Sequence, residues 1–238
     1  MSFRSRKYLS GRCQTCASLD ACGCGCSLSC EIEKDHSIDY LFLEFDAFDR
    51  DTNDNLSFLP AKQDELSSIL QIEWSNFSGY GYIFTVQTIK HWYEHNSNMF
   101  YVVKNLESNR VLGFATFVPI TESLYCRICN GELSSLTMFP NPDVGVSNDS
   151  LYYHLEVIAV VPSKTATRIG RFLVKSVGEK LLEVAKHVTA SPVSEIGVRL
   201  CEHFGFEHVA DESIGNMSYP IYSLNVDQEK IQRVLEKY

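Results

Sequence analysis

Residues 156–173, Glu-Val-Ile-Ala-Val-Val-Pro-Ser-Lys-Thr-Ala-Thr-Arg-Ile-Gly-Arg-Phe-Leu, constrain the fold more than any other stretch of this chain. A β-branched apolar run reads as a strand, Pro162 stops it, and a polar loop leads into an amphipathic helix from about Ile169. A strand–loop–helix unit places loop amides at a helix N-terminus. First-turn N–H groups lack partners there, and the helix dipole favours negative charge. The unit therefore predicts a site for a phosphate or pyrophosphate, and a nucleotide-bearing cofactor to carry it.

Regular structure is expected from about residue 56 onward. Leu66, Ile69, Leu70, Ile72 and Trp74 recur at helical spacing, and Val86, Ile89 and Trp92 mark a second helix over 85–95. Residues 99–104 and 111–118 read as two strands joined by the polar turn 105–110, a hairpin. Residues 124–129 read as a strand or a turn, and 140–150 as a loop. The strand 151–161 precedes the helix 169–185, which places Ile169, Phe172, Leu173, Val177, Leu181, Leu182 and Ala185 on one broad face. A short strand at 187–191, a helix over 193–204 closed by Gly205, strands from 206 and over 219–226, and a capped helix over 227–238 complete the chain.

Three segments follow: an appendage over 1–55, a domain over 56–226, and a terminal helix over 227–238. The appendage starts basic, turns Cys/Gly/Ser-rich and then acidic, with too few large apolar residues for a core of its own. No apolar run is long enough to span a bilayer, and no apolar signal segment follows the basic start, so a cytoplasmic protein is expected. The formal charge of −9 argues against a nucleic-acid partner held by a basic field. It suits a cationic amine substrate, or ordinary solubility.

Six of the nine cysteines, Cys13, Cys16, Cys22, Cys24, Cys26 and Cys30, crowd the appendage. In a reducing compartment such clustering points to metal ligation or redox chemistry rather than structural disulfides. Cys13 with Cys16, and Cys126 with Cys129, each have zinc half-site spacing, and the two pairs together have the ligand count of one tetrahedral thiolate site. A soft-metal site, an iron–sulfur cluster, lipidation, an oxidation sensor and a metal-free tail are the alternatives. Zinc leads among the metals.

The ordered motifs resemble the GNAT superfamily of N-acetyltransferases over residues 58–225. Leu112-Gly-Phe-Ala-Thr116 is similar to the family's third strand, V-G-F-A. Ile158-Ala-Val-Val-Pro162 is similar to L-A-V-x-P of its splayed central strand. Leu200-Cys-Glu-His-Phe-Gly-Phe206 is similar to L-Y-E-K-L-G-F. The resemblance implies an α/β (α+β) fold, a mixed, mostly antiparallel sheet with a splayed central strand and flanking helices. It implies acetyl-CoA as cosubstrate and an amine of a small molecule or protein as acceptor. Ile158, Ala159 and Val160 would bond the pantetheine arm and thioester, and the amides of Arg168, Ile169, Gly170 and Arg171 the pyrophosphate. The family's Q/R-x-x-G-x-G/A loop is here Thr165-Ala-Thr-Arg-Ile-Gly170, with Arg168 in place of the first glycine. Its guanidinium can pair a phosphate where close backbone approach is lost.

Acetyl transfer to an amine needs a base for the ammonium proton and, for the leaving thiolate, an acid. His154 and Glu156 are the base candidates; two apart on one strand, they are expected on one face together with Ile158 and Val160. Cys201 stands where the family usually has a tyrosine acid, and is a candidate acid or a small buried filler. Tyr152, Tyr153, Tyr219 and Tyr222 are unranked alternatives. Two further readings stay open: a non-catalytic metal- or redox-responsive module on a decayed cofactor scaffold, and an acyltransferase using a longer acyl donor.

Overall fold

A computed structural model describes residues 55–77, 85–133, 150–163, 165–214 and 217–238. They form one seven-stranded sheet in the order β1-β2-β3-β4-β5-β7-β6. The strands are β1 (Leu56–Pro60), β2 (Phe100–Asn105), β3 (Arg110–Ile120), β4 (Tyr152–Val160), β5 (His187–Ala190), β6 (Glu207–Ile214) and β7 (Met217–Asn225). Every pairing is antiparallel except β4 with β5. The helices are α1 (Leu66–Phe77), α2 (Val86–His95), α3 (Glu122–Cys129), α4 (Ala166–Val184), α5 (Glu195–His203) and α6 (Gln228–Leu235). None of the described helices is long and apolar enough to cross a membrane.

Local chemistry accounts for the β2–β3 hairpin. The Asn105 side chain accepts hydrogen bonds from the amides of Glu107 and Ser108, and Asn109 takes the left-handed conformation at φ 59°. β1 lacks a clean alternation and ends in Pro60, a residue that edge strands tolerate; pairing with β2 rather than local pattern makes it a strand.

Residues 124–129 are helical, neither strand nor turn. Thr121 caps α3 by accepting from the Leu124 amide, and Leu124 and Ile128 are buried one turn apart. An eight-residue helix with two buried positions carries too little periodicity to be distinguished from a strand.

The connections β4–α4–β5 and β5–α5–β6 are crossovers running the same way across the sheet, which right-handedness puts on one face. Gly113 shows how tightly α4 packs there: a Cβ at this position would lie 2.9 Å from the Ala159 carbonyl oxygen, 3.0 Å from Val160 Cγ1 and 3.4 Å from Leu173 Cδ2. α6 closes over α4 through Ile231 and Leu235, both buried. α2 lies on the other face, where Trp92 meets Phe100, and α1 packs beside it. α3 joins that face, with Tyr125 bonded to Ser223 of β7 at 2.6 Å. The core runs on both sides of β3, whose residues are buried from Val111 to Ile120.

Candidate active site

β4 is paired on both edges for only half its length. Toward β5 the pairs run from Tyr152 with His187 to Leu155 with Ala190, and then stop. Toward β3 pairing continues to Val160 with Gly113. From Glu156 onward one edge of β4 therefore has no strand beside it. The Val161 amide donates to Leu112 of β3, so alternation turns the backbone groups of Ile158 and Val160 to the open side. Asn76, in the last turn of α1, donates its side-chain amide to the Val160 carbonyl at 2.9 Å and pins that end.

The strand also carries a bulge. Thr116 pairs with Val157 and Phe117 with Leu155, leaving Glu156 as the extra residue. A bulge changes which side chains share a face. Because directly paired residues lie on the same face, His154 (opposite Val118) shares its face with Val157 (opposite Thr116). Ile158 and Val160 lie on the α4 face with Ala115 and Gly113. The expected grouping of His154, Glu156, Ile158 and Val160 on one face is thus corrected: the bulge separates the first two from the last two. No sequence period reports an inserted residue.

His154 and Glu156 are brought together. Nε2 of the ring is 2.9 Å from Oε2 of the carboxylate, with side-chain exposures of 2% and 3%. The contact is close but off the ring N–H axis, and Oε2 has no aligned hydrogen-bond donor. On the far side of the ring, Nδ1 lies 2.9 Å from Oγ1 of Thr189 on β5. A buried carboxylate oxygen without an aligned donor is costly and needs an explanation. The imidazole 2.9 Å away is the group positioned to offset that cost.

α4 begins at Ala166, three residues before the expected start, and this changes the anion site. The amides of Arg168 and Ile169 both donate to the Thr165 carbonyl, and that of Ala166 to Ser163. Gly170 and Arg171 lie inside the helix, where their amides are spent on the preceding turn. The four amides expected to cradle a pyrophosphate are therefore occupied. What the region offers instead is side chains. An open groove of about 670 Å³ is lined by Thr165, Thr167, Arg168, Arg171, Phe172, Lys175 and Tyr238. Arg168, Arg171 and Lys175 recur at helical spacing and concentrate positive charge along one side of it.

No protein-family model matches the sequence, and comparison with curated proteins finds no match either. Solved structures do match. Ard1 from Thermoplasma volcanium aligns with a TM-score of 0.53 at 12% identity, over 73% of this chain and 99% of that one. A protein assigned as a phosphinothricin N-acetyltransferase gives 0.51 at 12%, over 73% and 99%. The NatC complex bound to Gag peptide and CoA gives 0.50 at 11%, again over 73% and 99%.

The chain has the GNAT fold.

Within this GNAT fold, Cys201 sits on α5 as part of the hydrophobic core, at 8% exposure. Burial, with a smaller contribution from Glu202, pushes its thiol up to about 12. A proton held that strongly is poorly matched to a leaving thiolate of ordinary pKa about 8.5, so the packing role accounts for Cys201 better than the acid role. Of the candidate tyrosines, Tyr222 reaches α5, its hydroxyl 3.5 Å from Glu202 Oε1; burial and then Glu202 raise its pKa. Tyr152 stacks on His187 at 4.8 Å instead. Tyr153 is buried between Pro119 and Val188, and Tyr219 pairs with Glu212 at the far end of the sheet.

Among the described residues no group of three or more His, Cys, Asp or Glu is placed to hold a metal ion. Cys126 and Cys129 are both on α3, one exposed and one half-buried. Cys13, Cys16, Cys22, Cys24, Cys26 and Cys30 lie outside the described residues.

Sequence reasoning missed Asn76, Thr189, Lys175 and Tyr238. Lys175 was within reach, four residues after Arg171 and seven after Arg168 on one helix. The others act across long sequence separations that no local pattern reports.

Proposed function

We propose that this protein transfers an acetyl group from acetyl-CoA to a primary amine of a small molecule or a protein. The observation that carries the reading is the open edge of β4. It starts at the buried His154–Glu156 pair, and the chain that forms it passes directly into α4, whose first turns carry Arg168, Arg171 and Lys175.

The residues present fit the cosubstrate. Backbone groups of Ile158 and Val160 form half a β-ladder, which an extended amide-bearing arm such as pantetheine can complete. Arg168, Arg171 and Lys175 supply charge for its phosphates, the guanidiniums through paired N–H donors. Ala159 faces away from that edge and contributes packing. The Val160 carbonyl is already bonded to Asn76, so Ile158 supplies most of the edge.

The acceptor reaches the site as an ammonium ion. The Glu156 carboxylate, backed by His154, takes one of its protons, and the freed amine attacks the thioester carbonyl. The carbon–sulfur bond breaks, CoA leaves as a thiolate, and the new amide loses its second proton to solvent. A CoA thiolate of ordinary pKa needs no strong acid at neutral pH, and solvent at the open edge supplies its proton. His154 holds the carboxylate in place and shares the proton it receives.

Calorimetric titration of the full chain with acetyl-CoA and CoA tests the donor. A turnover panel of polyamines, amino acids, aminoglycosides and peptides then tests the acceptor. Saturable acetyl-CoA binding with amine-dependent release of free CoA thiol is the expected result. Absence of acetyl-CoA binding overturns the reading.

A further inference from the structure

Thr189 is fully buried in β5, directly across from His154, with its hydroxyl oxygen 2.9 Å from Nδ1. Its partner ring is equally shut away at 1% exposure, so bulk solvent reaches neither group. The other end of the ring decides what this contact must be. Nε2 lies 2.9 Å from Glu156 Oε2; although the contact is off the N–H axis, a carboxylate oxygen that close favours a proton on Nε2 over a bare lone pair. While Glu156 is a carboxylate, that proton belongs to Nε2.

Two states follow. In the neutral ring Nδ1 is bare, and a bare buried nitrogen is satisfied only when the Thr189 hydroxyl donates to it. When the pair has taken up one more proton and the ring is an imidazolium, Nδ1 becomes a donor, and the same oxygen must accept. A backbone carbonyl or a carboxylate accepts only, and a backbone amide donates only. A hydroxyl does both by rotating its own proton.

We propose that Thr189 is a positioning residue, a two-way hydrogen-bond partner that lets the imidazole–carboxylate pair gain and release one proton without moving. This rests on the reading above that the pair receives the acceptor's proton. The ionisable group in contact with the ring is Glu156. On the helices packed over the same face, α1 contributes the buried Glu73, α2 buries Val86, Ile89 and Trp92, and α3 adds Tyr125, bonded at 2.6 Å to Ser223, the β7 residue paired with Thr189, with the half-buried Cys129 beside it.

Two variants test it: Thr189→Val, which keeps the shape and removes the hydroxyl, and Thr189→Ser, which keeps the hydroxyl. The first readout is the ¹⁵N shifts of the His154 ring against pH, which need no substrate. The full-length wild type should show an Nε2–H neutral tautomer. Thr189→Val should move the Nδ1 shift and the ring's titration midpoint, and Thr189→Ser should restore both. The second readout is kcat/KM against pH. Thr189→Val should lose about tenfold, the scale of one hydrogen bond to a group that becomes charged, with acetyl-CoA affinity unchanged, and Thr189→Ser should recover most of it. A wild-type titration and tautomer in Thr189→Val overturns the proposal, as does a Thr189→Ser variant impaired as much as Thr189→Val. If the chain proves not to bind acetyl-CoA, the ring shifts still decide whether Thr189 bonds as argued, so failure of this proposal and of the proposed function are told apart.

Discussion

Replacing Glu156 with Gln separates a catalytic carboxylate from a structural one. The two side chains have the same shape, and the Glu156 side chain is 3% exposed beside Nε2 at 2.9 Å, so little repacking is needed. Glutamine cannot take the ammonium proton. Removing a general base costs about 10²–10⁴ in rate, or about 2.7–5.4 kcal/mol at 1.36 kcal/mol per decade. Stability should move the other way. Oε2 is a buried charged oxygen with no aligned donor, and such a group costs about 1–3 kcal/mol. A neutral amide recovers part of that, because it carries no charge to desolvate. The Glu156→Gln protein should be as stable as wild type or up to about 1 kcal/mol more so, a rise in Tm of about 2–4 °C for a domain of this size. Function at the expense of stability is the pattern expected of a preorganised site. The assay pairs steady-state kcat/KM for acetyl-CoA and a saturating amine with thermal unfolding and acetyl-CoA calorimetry. Full turnover in Glu156→Gln would refute the base assignment. Lost turnover with Tm lowered by several degrees would show the carboxylate to be a structural partner of His154 instead.

Gly113→Ala should destabilise by about 1–3 kcal/mol in urea unfolding, because its Cβ would meet the Ala159 backbone oxygen at 2.9 Å. The Cys201→Ala variant should lose less stability than wild type as pH rises above about 9. In the unfolded chain the thiol ionises near its ordinary value, while the folded protein holds the proton up to about 12, so folded wild type binds more protons in that window and weakens through it. Unfolding at pH 8 and pH 10.5 compares the two slopes, and equal slopes would count against a buried neutral thiol. The Arg168→Ala and Arg171→Ala pair should weaken CoA binding about tenfold at low salt, with the difference shrinking as salt rises. A salt-independent loss would point to packing in the groove rather than charge.

The architecture was legible where local pattern and tertiary role coincide. The helical spacing of Leu66, Ile69 and Leu70, the hairpin around Asn105–Arg110, and the strand–loop–helix unit all report faces buried in the structure. The order of motifs located the region that the fold opens. What failed was detail that depends on partners. A bulge at Glu156 is defined by the strand opposite it. The extent of β1 is set by β2, and α3 is too short to announce its period. The start of α4 moved because Thr165 and Ala166 can begin a helix as readily as end a loop, and the amides meant for an anion were used to build its first turn.

Taken alone, the sequence determined the fold class, the central strand, and the two residues worth testing on it, since apolar periodicity and residue chemistry are local properties. Only the tertiary structure decided that β4 loses β5 after Leu155, and that His154 meets Glu156 on one side and Thr189 on the other. Those contacts depend on strand register, and register is settled by how whole faces pack rather than by any neighbour along the chain.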